Sequence, residues 1–288
     1  MIKAISYWSM KHGLAGSHPI DDALASAKEA GFDGLELCVG VEGVLTPNST
    51  QSECEAIRRQ IDDSGVVVQT MANGMSWALN PVSNDETVRQ QALQLNKAAL
   101  ERAAWLGVEA CLYVPGVVKS PIYPGELVRY DRAMQRCREA VTSLLETAEE
   151  VGVDLCLENV WNGMFYSPIE LIEFIDSFGS DRLGVYFDVG NCLGYQQHPP
   201  HWIELLGDRI KRVHIKGYKE NFGWQGSYSF CDLGEGDVPW EEVAQALRNI
   251  GYDKTLIAEM MPWDETLLAR TSSVMDRLFE FEASKSRD

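Results

Sequence analysis

The sequence predicts an α/β fold, a single-domain (β/α)8 barrel of the TIM type that spans residues 1–288. Short apolar runs alternate with longer helical stretches, and this alternation gives eight strand and helix pairs. The helices also end in a repeated glycine junction. A doubly wound open sheet would share the alternation, but no GxGxxG motif follows the first strand and no P-loop is found. The closed barrel is therefore favoured.

Eight runs with near-continuous apolar character are predicted as strands buried on both faces. In chain order they are IKAISYW (2–8), GLELC (34–38), VVVQTMA (66–72), ACLYVPG (110–116), DLCLENV (154–160), LGVYFDV (183–189), IKRVHIK (210–216) and TLIAEMM (255–261). In a barrel, the carboxyl ends of all eight strands meet on one face, where the chemistry is built.

The junctions between helices and strands repeat one pattern, in which a glycine follows the last helical turn and a strand begins a few residues later. The four examples are AKEAGFDG (27–34), AAWLGVEA (103–110), AEEVGVDL (148–155) and LRNIGYDK (247–254). Glycine at this place is typical of a left-handed helix terminus. The repeat is the strongest internal evidence for a barrel.

The longest predicted loop, residues 218–240, follows strand seven on the active-site side of the barrel. A structureless insertion of this length is usually functional or mobile. Its aromatic residues either cover a bound small molecule or pack the loop onto the barrel rim. They are Phe222, Trp224, Tyr228 and Phe230.

Composition excludes several classes of function. The chain has 288 residues, 45% of them hydrophobic, and a formal net charge of −18. A charge of this sign repels phosphate backbones and anionic lipid surfaces, so nucleic acid and membranes are not expected as partners. The start, MIKAISYWSMKHG, lacks a long apolar region, and no run approaches a membrane span. Seven cysteines without a CxxC pair indicate reduced thiols and a cytoplasmic location.

Four residues that can ligate a metal lie late in strands five to eight, namely Glu158, Asp188, His214 and Glu259. Three carboxylates and one imidazole suit Mn²⁺ or Mg²⁺ and can also hold Zn²⁺ or Co²⁺. Buried carboxylates need a compensating charge, which a divalent cation supplies. Any one acid could instead bond to loop amides or pair with a nearby lysine or arginine. Four such residues at corresponding strand positions favour the metal.

These motifs resemble the xylose isomerase-like TIM barrel superfamily, in the branch of sugar-phosphate isomerases and epimerases that includes the ketose 3-epimerases. The resemblance spans nearly the whole chain. It rests on ENVWN (158–162), FDVGN (187–191), VHIK (213–216) and AEM (258–260), supported by GLEL (34–37) and GEGDVPW (234–240). The resemblance implies one divalent metal ion, with Mn²⁺ first, held by Glu158, Asp188, His214 and Glu259. It also implies a small carbohydrate substrate, and such barrels often form homo-oligomers.

The expected chemistry is deprotonation next to a ketose carbonyl. A metal on the carbonyl and hydroxyl oxygens acidifies that C–H bond and stabilises the enediolate. Two carboxylates on opposite faces of the carbon could remove a proton from one side and return it on the other. In the resembling epimerases the two glutamate ligands have these roles, which implies that Glu158 and Glu259 are the acid/base pair.

Substrate contacts are predicted less directly, because this chain departs from the ketose 3-epimerase pattern. Asn191 stands where that subgroup has a histidine, and Glu220 stands where it has an arginine. Lys216 either binds a substrate oxygen or pairs with a metal-ligand carboxylate. Glu36 accepts a sugar hydroxyl or forms a salt bridge at the rim. Trp161 and Trp8 either form a pocket wall or pack the rim.

Two other functions use related sites. A hydro-lyase of the inosose dehydratase type starts from the same enolate and then expels a hydroxyl, so the sequence does not separate it from an epimerase. An endonuclease IV-like enzyme needs additional histidines for a three-zinc site. This chain has five histidines, one of them in a predicted strand, and a charge of −18. The nuclease is therefore the weakest of the three hypotheses.

Overall fold

The computed structural model describes residues 1–120, 125–221 and 227–281. Eight parallel strands close into a barrel, in which the first strand (Ile2–Ser6) lies between the second (Gly34–Val39) and the last (Thr255–Ala258) and the others follow in chain order. The predicted (β/α)8 barrel is therefore confirmed. The domain bounds 1–288 stay a prediction, since residues 282–288 lie outside the described part of the chain.

Strands and helices alternate along the chain as the sequence predicts. The barrel strands are β1 (Ile2–Ser6), β2 (Gly34–Val39), β3 (Thr70–Asn73), β4 (Ala110–Tyr113), β5 (Asp154–Glu158), β6 (Leu183–Asp188), β7 (Ile210–Ile215) and β10 (Thr255–Ala258). The helices are α1 (Ile20–Glu29), α2 (Gln51–Ser64), α3 (Glu86–Leu106), α4 (Tyr130–Val151), α5 (Pro168–Asp176), α6 (Val189–Gly194), α7 (Pro199–Leu206), α8 (Trp240–Asn249) and α9 (Leu267–Leu278). Within the described ranges, no helix is both long and apolar enough to cross a bilayer.

The third strand begins later than predicted. The apolar run at 66–72 suggests a strand from Val66, but β3 starts at Thr70. Val67 forms an isolated bridge with Gly34 and is 37% exposed. The valine run is thus the segment that leads into β3 and is not part of the closed sheet.

The four predicted junction glycines all have left-handed backbones. Gly31, Gly107, Gly152 and Gly251 have φ values of 83°, 74°, 76° and 69°. A residue with a Cβ is strained in this region, whereas glycine is not. Each junction therefore stops its helix and turns the chain back toward the next strand.

The segment predicted as a structureless loop over 218–240 contains a β-hairpin, so that prediction is wrong. Strands β8 (Gly217–Asn221) and β9 (Ser227–Cys231) pair antiparallel, with Tyr218 opposite Phe230. At the base of the hairpin, the Asp237 amide donates to the Tyr218 carbonyl oxygen at 2.8 Å. A Cβ at Gly236 would lie 2.3 Å from the same oxygen, and the φ of Gly236 is 79°, so this approach requires glycine. This close approach brings the segment after β9 back against β8.

The barrel interior contains a small core of its own, separate from the larger core between the strands and the helices. Its members are Ala4, Ala110, Leu112, Val114, Cys156, Tyr186 and Ile257. Because side chains alternate along a strand, Tyr186 shares the interior face of β6 with Asp188. Arg212 shares the interior face of β7 with His214. Each potential ligand thus has a fixed neighbour one layer below it.

Arg212 closes the amino-terminal end of the barrel. It is 1% exposed, and its guanidinium donates to the carbonyl oxygens of Lys211 (2.7 Å) and Gln69 (3.3 Å) and to Glu109 Oε2 (2.8 Å). These bonds join β7 to the segments that lead into β3 and β4. The guanidinium therefore adds hydrogen bonds between the strands at this end, where the Gln69 carbonyl oxygen also accepts from the Glu109 amide at 2.9 Å.

Arg212→Ala is expected to lower the free energy of unfolding by about 2–4 kcal/mol, because it removes three hydrogen bonds of a buried guanidinium and leaves a cavity. Urea unfolding measures this difference. The control is Arg209→Ala, which removes an exposed pair with Asp176 and should cost less than about 1 kcal/mol. Equal effects of the two substitutions would contradict the role given to Arg212.

Candidate metal centre

Four side chains converge at the carboxyl ends of β5, β6, β7 and β10. Each of Glu158, Asp188, His214 and Glu259 offers one ligand atom, and these atoms all lie within 4.8 Å of one another. Glu158 and Asp188 end their strands, while Glu259 directly follows β10. The structure therefore brings together all four residues that the sequence singles out. We refer to these four residues as the cluster.

The orientation of His214 is fixed from the side opposite the cluster. Its Nε2 lies 2.9 and 3.0 Å from the two carboxylate oxygens of Glu36 on β2. Glu36 in turn accepts a hydrogen bond from the Tyr186 hydroxyl, which lies 2.9 Å from Thr70 Oγ1. With Nε2 bonded to Glu36, Nδ1 faces Asp188 and Glu259. This arrangement leaves Nδ1 as the ring nitrogen for a metal.

Lys216 lies between two cluster carboxylates. Its Nζ donates to Glu259 Oε2 at 2.6 Å and is 2.9 Å from Asp188 Oδ2. The contact with Asp188 is an ion pair without hydrogen-bond geometry, because Asp188 Oδ2 has no hydrogen-bond partner among the described residues. Gly190 gives the lysine its path, since a Cβ there would lie 2.5 Å from Lys216 Cγ. Of the two roles predicted for Lys216, these ion pairs match the pairing with carboxylates of the cluster.

Two asparagines hold the carboxylates of Asp188 and Glu158. The backbone amide of Asn191 donates to Asp188 Oδ1 at 2.8 Å, which also caps α6, and its side chain donates to Glu158 Oε1 at 3.4 Å. Asn159 exchanges two hydrogen bonds with the backbone of Asp188, at 2.7 and 2.8 Å. The ends of β5 and β6 are thereby locked together.

Burial and mutual repulsion alter the acidity of the carboxylates. Burial, together with Asp188 and Glu259, raises the pKa of Glu158 to about 8. Burial also raises the pKa of Asp188, although Lys216 opposes the increase. Burial also acts to raise the pKa of Glu259, but Lys216 and His214 outweigh burial and lower this pKa below its ordinary value. Burial and mutual repulsion thus oppose ionisation of all three carboxylates, and Glu158 keeps its proton above its usual pH range.

Acidic neighbours raise the pKa values of the two basic groups, His214 and Lys216. Burial lowers the pKa of His214, but Glu36 and the cluster carboxylates raise it to about 9. Burial also lowers the pKa of Lys216, and Asp188 and Glu259 outweigh that effect and raise it. Both groups are stabilised as cations by their acidic neighbours. An added divalent cation would supply the positive charge that lets all three carboxylates ionise.

The donor set fits a divalent metal ion. Three carboxylates and one imidazole are hard donors, and thiolates are absent from the cluster. Two buried atoms that face its centre, Asp188 Oδ2 and His214 Nδ1, have no hydrogen-bond partner among the described residues. Asp188 Oδ2 has its ion pair with Lys216 but lacks a hydrogen bond within the described part of the chain, and a cation shared with His214 Nδ1 would satisfy both atoms. The residues present thus match what such an ion requires.

A pocket of about 720 Å³ opens directly above the cluster. Glu158 and Glu259 line this pocket, whereas Asp188 and His214 are 0% exposed and do not. The two glutamates come from β5 and β10, which β6 and β7 separate in the barrel. They are therefore the cluster carboxylates that a bound molecule would contact.

Four of the five predicted substrate-binding residues line the pocket, namely Trp8, Trp161, Asn191 and Lys216. Glu36 does not: it is 0% exposed within the barrel and bonded to His214 and Tyr186. This burial supports neither a sugar-hydroxyl contact nor a rim salt bridge. Both predicted roles require Glu36 to reach the rim, but β2 continues to Val39 and leaves Glu36 one layer deeper.

The hairpin contributes an aromatic wall. Phe230 stacks on Trp161, with ring centroids 5.0 Å apart and an interplanar angle of 9°, and both line the pocket. The Trp161 indole donates to the Asn191 carbonyl at 3.0 Å. Trp161 therefore both packs the rim and forms a wall. Phe222 and Trp224, and the side chain of Tyr228, lie outside the described residues.

Sequence reasoning missed three residues that support the cluster: Tyr186, Thr70 and Asn159. Tyr186 precedes Asp188 by two positions, so strand alternation alone places it on the same face. Asn159 directly follows Glu158 in ENVWN (158–162), so its closeness to the cluster follows from its position in the sequence. The contact of Thr70 with Tyr186 joins residues 116 positions apart and has no local signal.

Comparison with known proteins places the chain in a family. The model of the xylose isomerase-like TIM barrel matches residues 24–277. The chain belongs to this family. The predicted resemblance is therefore confirmed over most of the sequence.

Relatives within the family include sugar epimerases. The D-psicose 3-epimerase of Enterocloster bolteae is 27% identical over 264 residues, which cover 87% of this chain and 82% of that protein. The fructoselysine 3-epimerase of Escherichia coli O157:H7 is 24% identical over 253 residues, covering 84% and 86%. A crystal structure of D-psicose 3-epimerase with D-tagatose from Clostridium cellulolyticum H10 matches with a TM-score of 0.79 at 20% identity, covering 96% of this chain and 98% of that one. The structural likeness shows a shared fold.

Proposed function

We propose that this protein is a divalent-metal-dependent sugar isomerase or epimerase that acts through an enediolate. Glu158, Asp188, His214 and Glu259 would hold the metal, and Glu158 and Glu259 would act as the acid/base pair. One observation carries the proposal: within a cluster that fits a divalent cation, the two glutamates are the carboxylates that face the pocket. The sugar epimerases among the relatives support it.

When bound, the cation supplies the positive charge that acidifies the C–H bond beside a ketose carbonyl and stabilises the enediolate. The remaining work falls to side chains of this chain. One glutamate removes the proton, and the other returns a proton from the opposite side of the carbon. Asn191 and Lys216 hold the two carboxylates in position through their contacts with Glu158 Oε1 and Glu259 Oε2. Trp8 and Trp161 cover the pocket with apolar surface and so exclude water.

The choice of metal follows from the donors. Mn²⁺ accepts carboxylate oxygens together with one imidazole, and we propose it as the first candidate. Mg²⁺, Co²⁺ and Zn²⁺ can bind the same donor set. The substrate we propose is a small carbohydrate, because sugar epimerases are among the relatives. The single histidine of the cluster does not supply the three-zinc site of an endonuclease IV-like enzyme.

Proton NMR in D₂O tests the reaction type. Ketoses incubated with the Mn²⁺-loaded protein should exchange the hydrogen beside the carbonyl for deuterium and yield the inverted sugar. Loss of a hydroxyl would indicate a hydro-lyase of the inosose dehydratase type instead. A screen of ketoses, ketose phosphates and keto-inositols without any exchange would contradict the proposed chemistry.

Glu36→Gln is expected to weaken Mn²⁺ binding by about 10- to 100-fold, because it removes the negative charge that orients His214 from behind. Glu36 is a positioning residue, since it lies outside the pocket. Calorimetric titration of the metal measures the effect. Tyr186→Phe removes one hydrogen bond to Glu36 but keeps its charge, so a smaller loss is expected. Unchanged affinity in Glu36→Gln would contradict this role.

We further propose that the protein works in the cytoplasm. All seven cysteines lie within the described residues and none forms a disulfide, which agrees with a reducing compartment. The net charge of −18 argues against nucleic acid and anionic membranes as partners. Assembly into a homo-oligomer stays a prediction from the family resemblance.

A further inference from the structure

We propose that the substrate is an unphosphorylated keto-sugar that carries an apolar or aromatic substituent. This inference rests on the proposed function and specifies its substrate class. The pocket has two ends of different character. One end holds the charged and polar groups, which are the cluster glutamates, Asn191 and Lys216, beside the wall of Trp161 and Phe230. The other end, the apolar subsite, is formed by Trp8, Leu14, Val39, Val41, Met75 and Trp77.

The barrel order places the two ends on opposite sides of the mouth. The cluster belongs to β5, β6, β7 and β10, whereas the apolar subsite belongs to β1, β2, β3 and the segments that follow them. A molecule whose reacting carbon lies between Glu158 and Glu259 can therefore extend across the mouth toward this apolar surface. The substituent would occupy the apolar side.

The apolar subsite combines two closely packed tryptophans with exposed aliphatic side chains at the mouth of the pocket. A Cβ at Gly74 would lie 3.3 Å from Trp8 Cζ2 and 3.8 Å from Trp77 Cδ1, so the two indoles flank this glycine closely. Leu14 and Val41 are 68% and 48% exposed at the mouth. Apolar residues grouped around one concave surface favour a ligand that covers them.

The charges around the pocket disfavour a phosphate. Among the described residues that line it, Lys216 is the one cation, and its ammonium is already held by Glu259 and Asp188. Glu42 lines the far side, next to Val41. A phosphate group normally requires arginine, lysine or converging backbone amides. Here it would meet carboxylates and apolar side chains instead.

The volume of the pocket also favours a sugar that carries a substituent. A pocket of about 720 Å³ lies in the upper part of the range of roughly 300–1,000 Å³ that encloses drug-sized ligands. A monosaccharide alone would leave much of this space to water against apolar walls. A substituent the size of a phenyl ring would displace that water and bury the exposed leucine and valine.

Three derivatives of one ketohexose test the inference: a phenyl ether, a methyl ether and a phosphate ester at the hydroxyl furthest from the carbonyl. Deuterium exchange in D₂O is the readout. We expect kcat/KM for the phenyl ether to exceed that for the methyl ether by about 10- to 100-fold, with the phosphate ester lowest. Equal values for the two ethers, or preference for the phosphate, would overturn the inference.

A pair of neighbouring valines provides matched variants. Val41→Asp places a charge in the apolar subsite and should reduce the phenyl-to-methyl ratio by at least about 10-fold. Val44 is also exposed, at 41%, and does not line the pocket, so Val44→Asp should leave the ratio unchanged. A ratio that survives in Val41→Asp would contradict the location of the subsite.

A separate binding measurement distinguishes failure of this inference from failure of the proposed function. Phenyl and methyl ethers of the corresponding alditol have no carbonyl and cannot react. Quenching of tryptophan fluorescence should show at least about 10-fold tighter binding of the phenyl form. If no ketose exchanges deuterium but this preference is observed, the reaction is wrong and the subsite is correct. Equal binding of both alditols would reject the subsite.

Discussion

Glu158→Gln and Glu259→Gln are each expected to reduce turnover by at least about 10³-fold while the barrel stays folded. Glutamine keeps the size of the side chain but cannot carry a proton between substrate and solvent, and it is a poor metal ligand. Each effect should appear in kcat, because both carboxylates face the pocket directly. Steady-state kinetics on a substrate identified by NMR measures the loss.

The control for these substitutions is the same chemical change on the surface. Glu204 is exposed on α7, and Glu204→Gln should retain full activity. Circular dichroism and thermal unfolding establish that the two inactive variants are folded. Turnover within about 10-fold of the wild type in either variant would remove that glutamate from the acid/base pair.

Saturating Mn²⁺ is expected to raise the free energy of unfolding of the wild-type protein by about 2.7 kcal/mol at 100 times the dissociation constant. The gain should disappear in Asp188→Asn, because the cluster loses one carboxylate and part of the charge that attracts the ion. Asparagine can still accept the hydrogen bond that caps α6, so local folding is preserved. Urea unfolding with Mn²⁺ and with a chelator measures both values.

Asp181→Asn is the matched control, since Asp181 is exposed and precedes β6. It should show the same metal-dependent gain as the wild type. If Asp188→Asn were stabilised by Mn²⁺ as strongly as the wild type, the ion would be bound elsewhere on the molecule.

Local patterns were sufficient to predict the barrel. A strand buried on both faces is apolar along its whole length, and each junction glycine is required by a left-handed backbone. Both signals lie within a few residues of sequence. The start of β3 was misplaced for the same reason, because Val66 and Val67 have strand propensity while their position leaves Val67 exposed.

The cluster could be predicted because a barrel converts sequence position into spatial position. A carboxylate late in any of the eight strands must lie at the same end of the barrel, whichever strand carries it. Glu158, Asp188, His214 and Glu259 therefore needed no long-range information. The assignment of these residues as metal ligands remains a proposal that the geometry supports.

The contacts across the barrel could not be predicted. Glu36 and His214 are 178 positions apart, and their hydrogen bond depends on how far each strand rises before it ends. The role of Lys216 depends in a similar way on Asp188 and Glu259 lying within reach of one ammonium. The sequence predicts a loop where β8 and β9 form a hairpin, because the glycines and the mixed polarity of this segment give no strand pattern. The pairing of Tyr218 with Phe230 therefore has no local signal.

The most direct test of the account is the metal content of the purified protein, measured by mass spectrometry after dialysis against Mn²⁺ and then against metal-free buffer. The account predicts one divalent ion per chain in the wild type and a marked loss in Asp188→Asn and Glu259→Gln. A wild-type protein that retains no divalent ion, and shows no saturable Mn²⁺ binding in titration, would contradict a metal centre at Glu158, Asp188, His214 and Glu259.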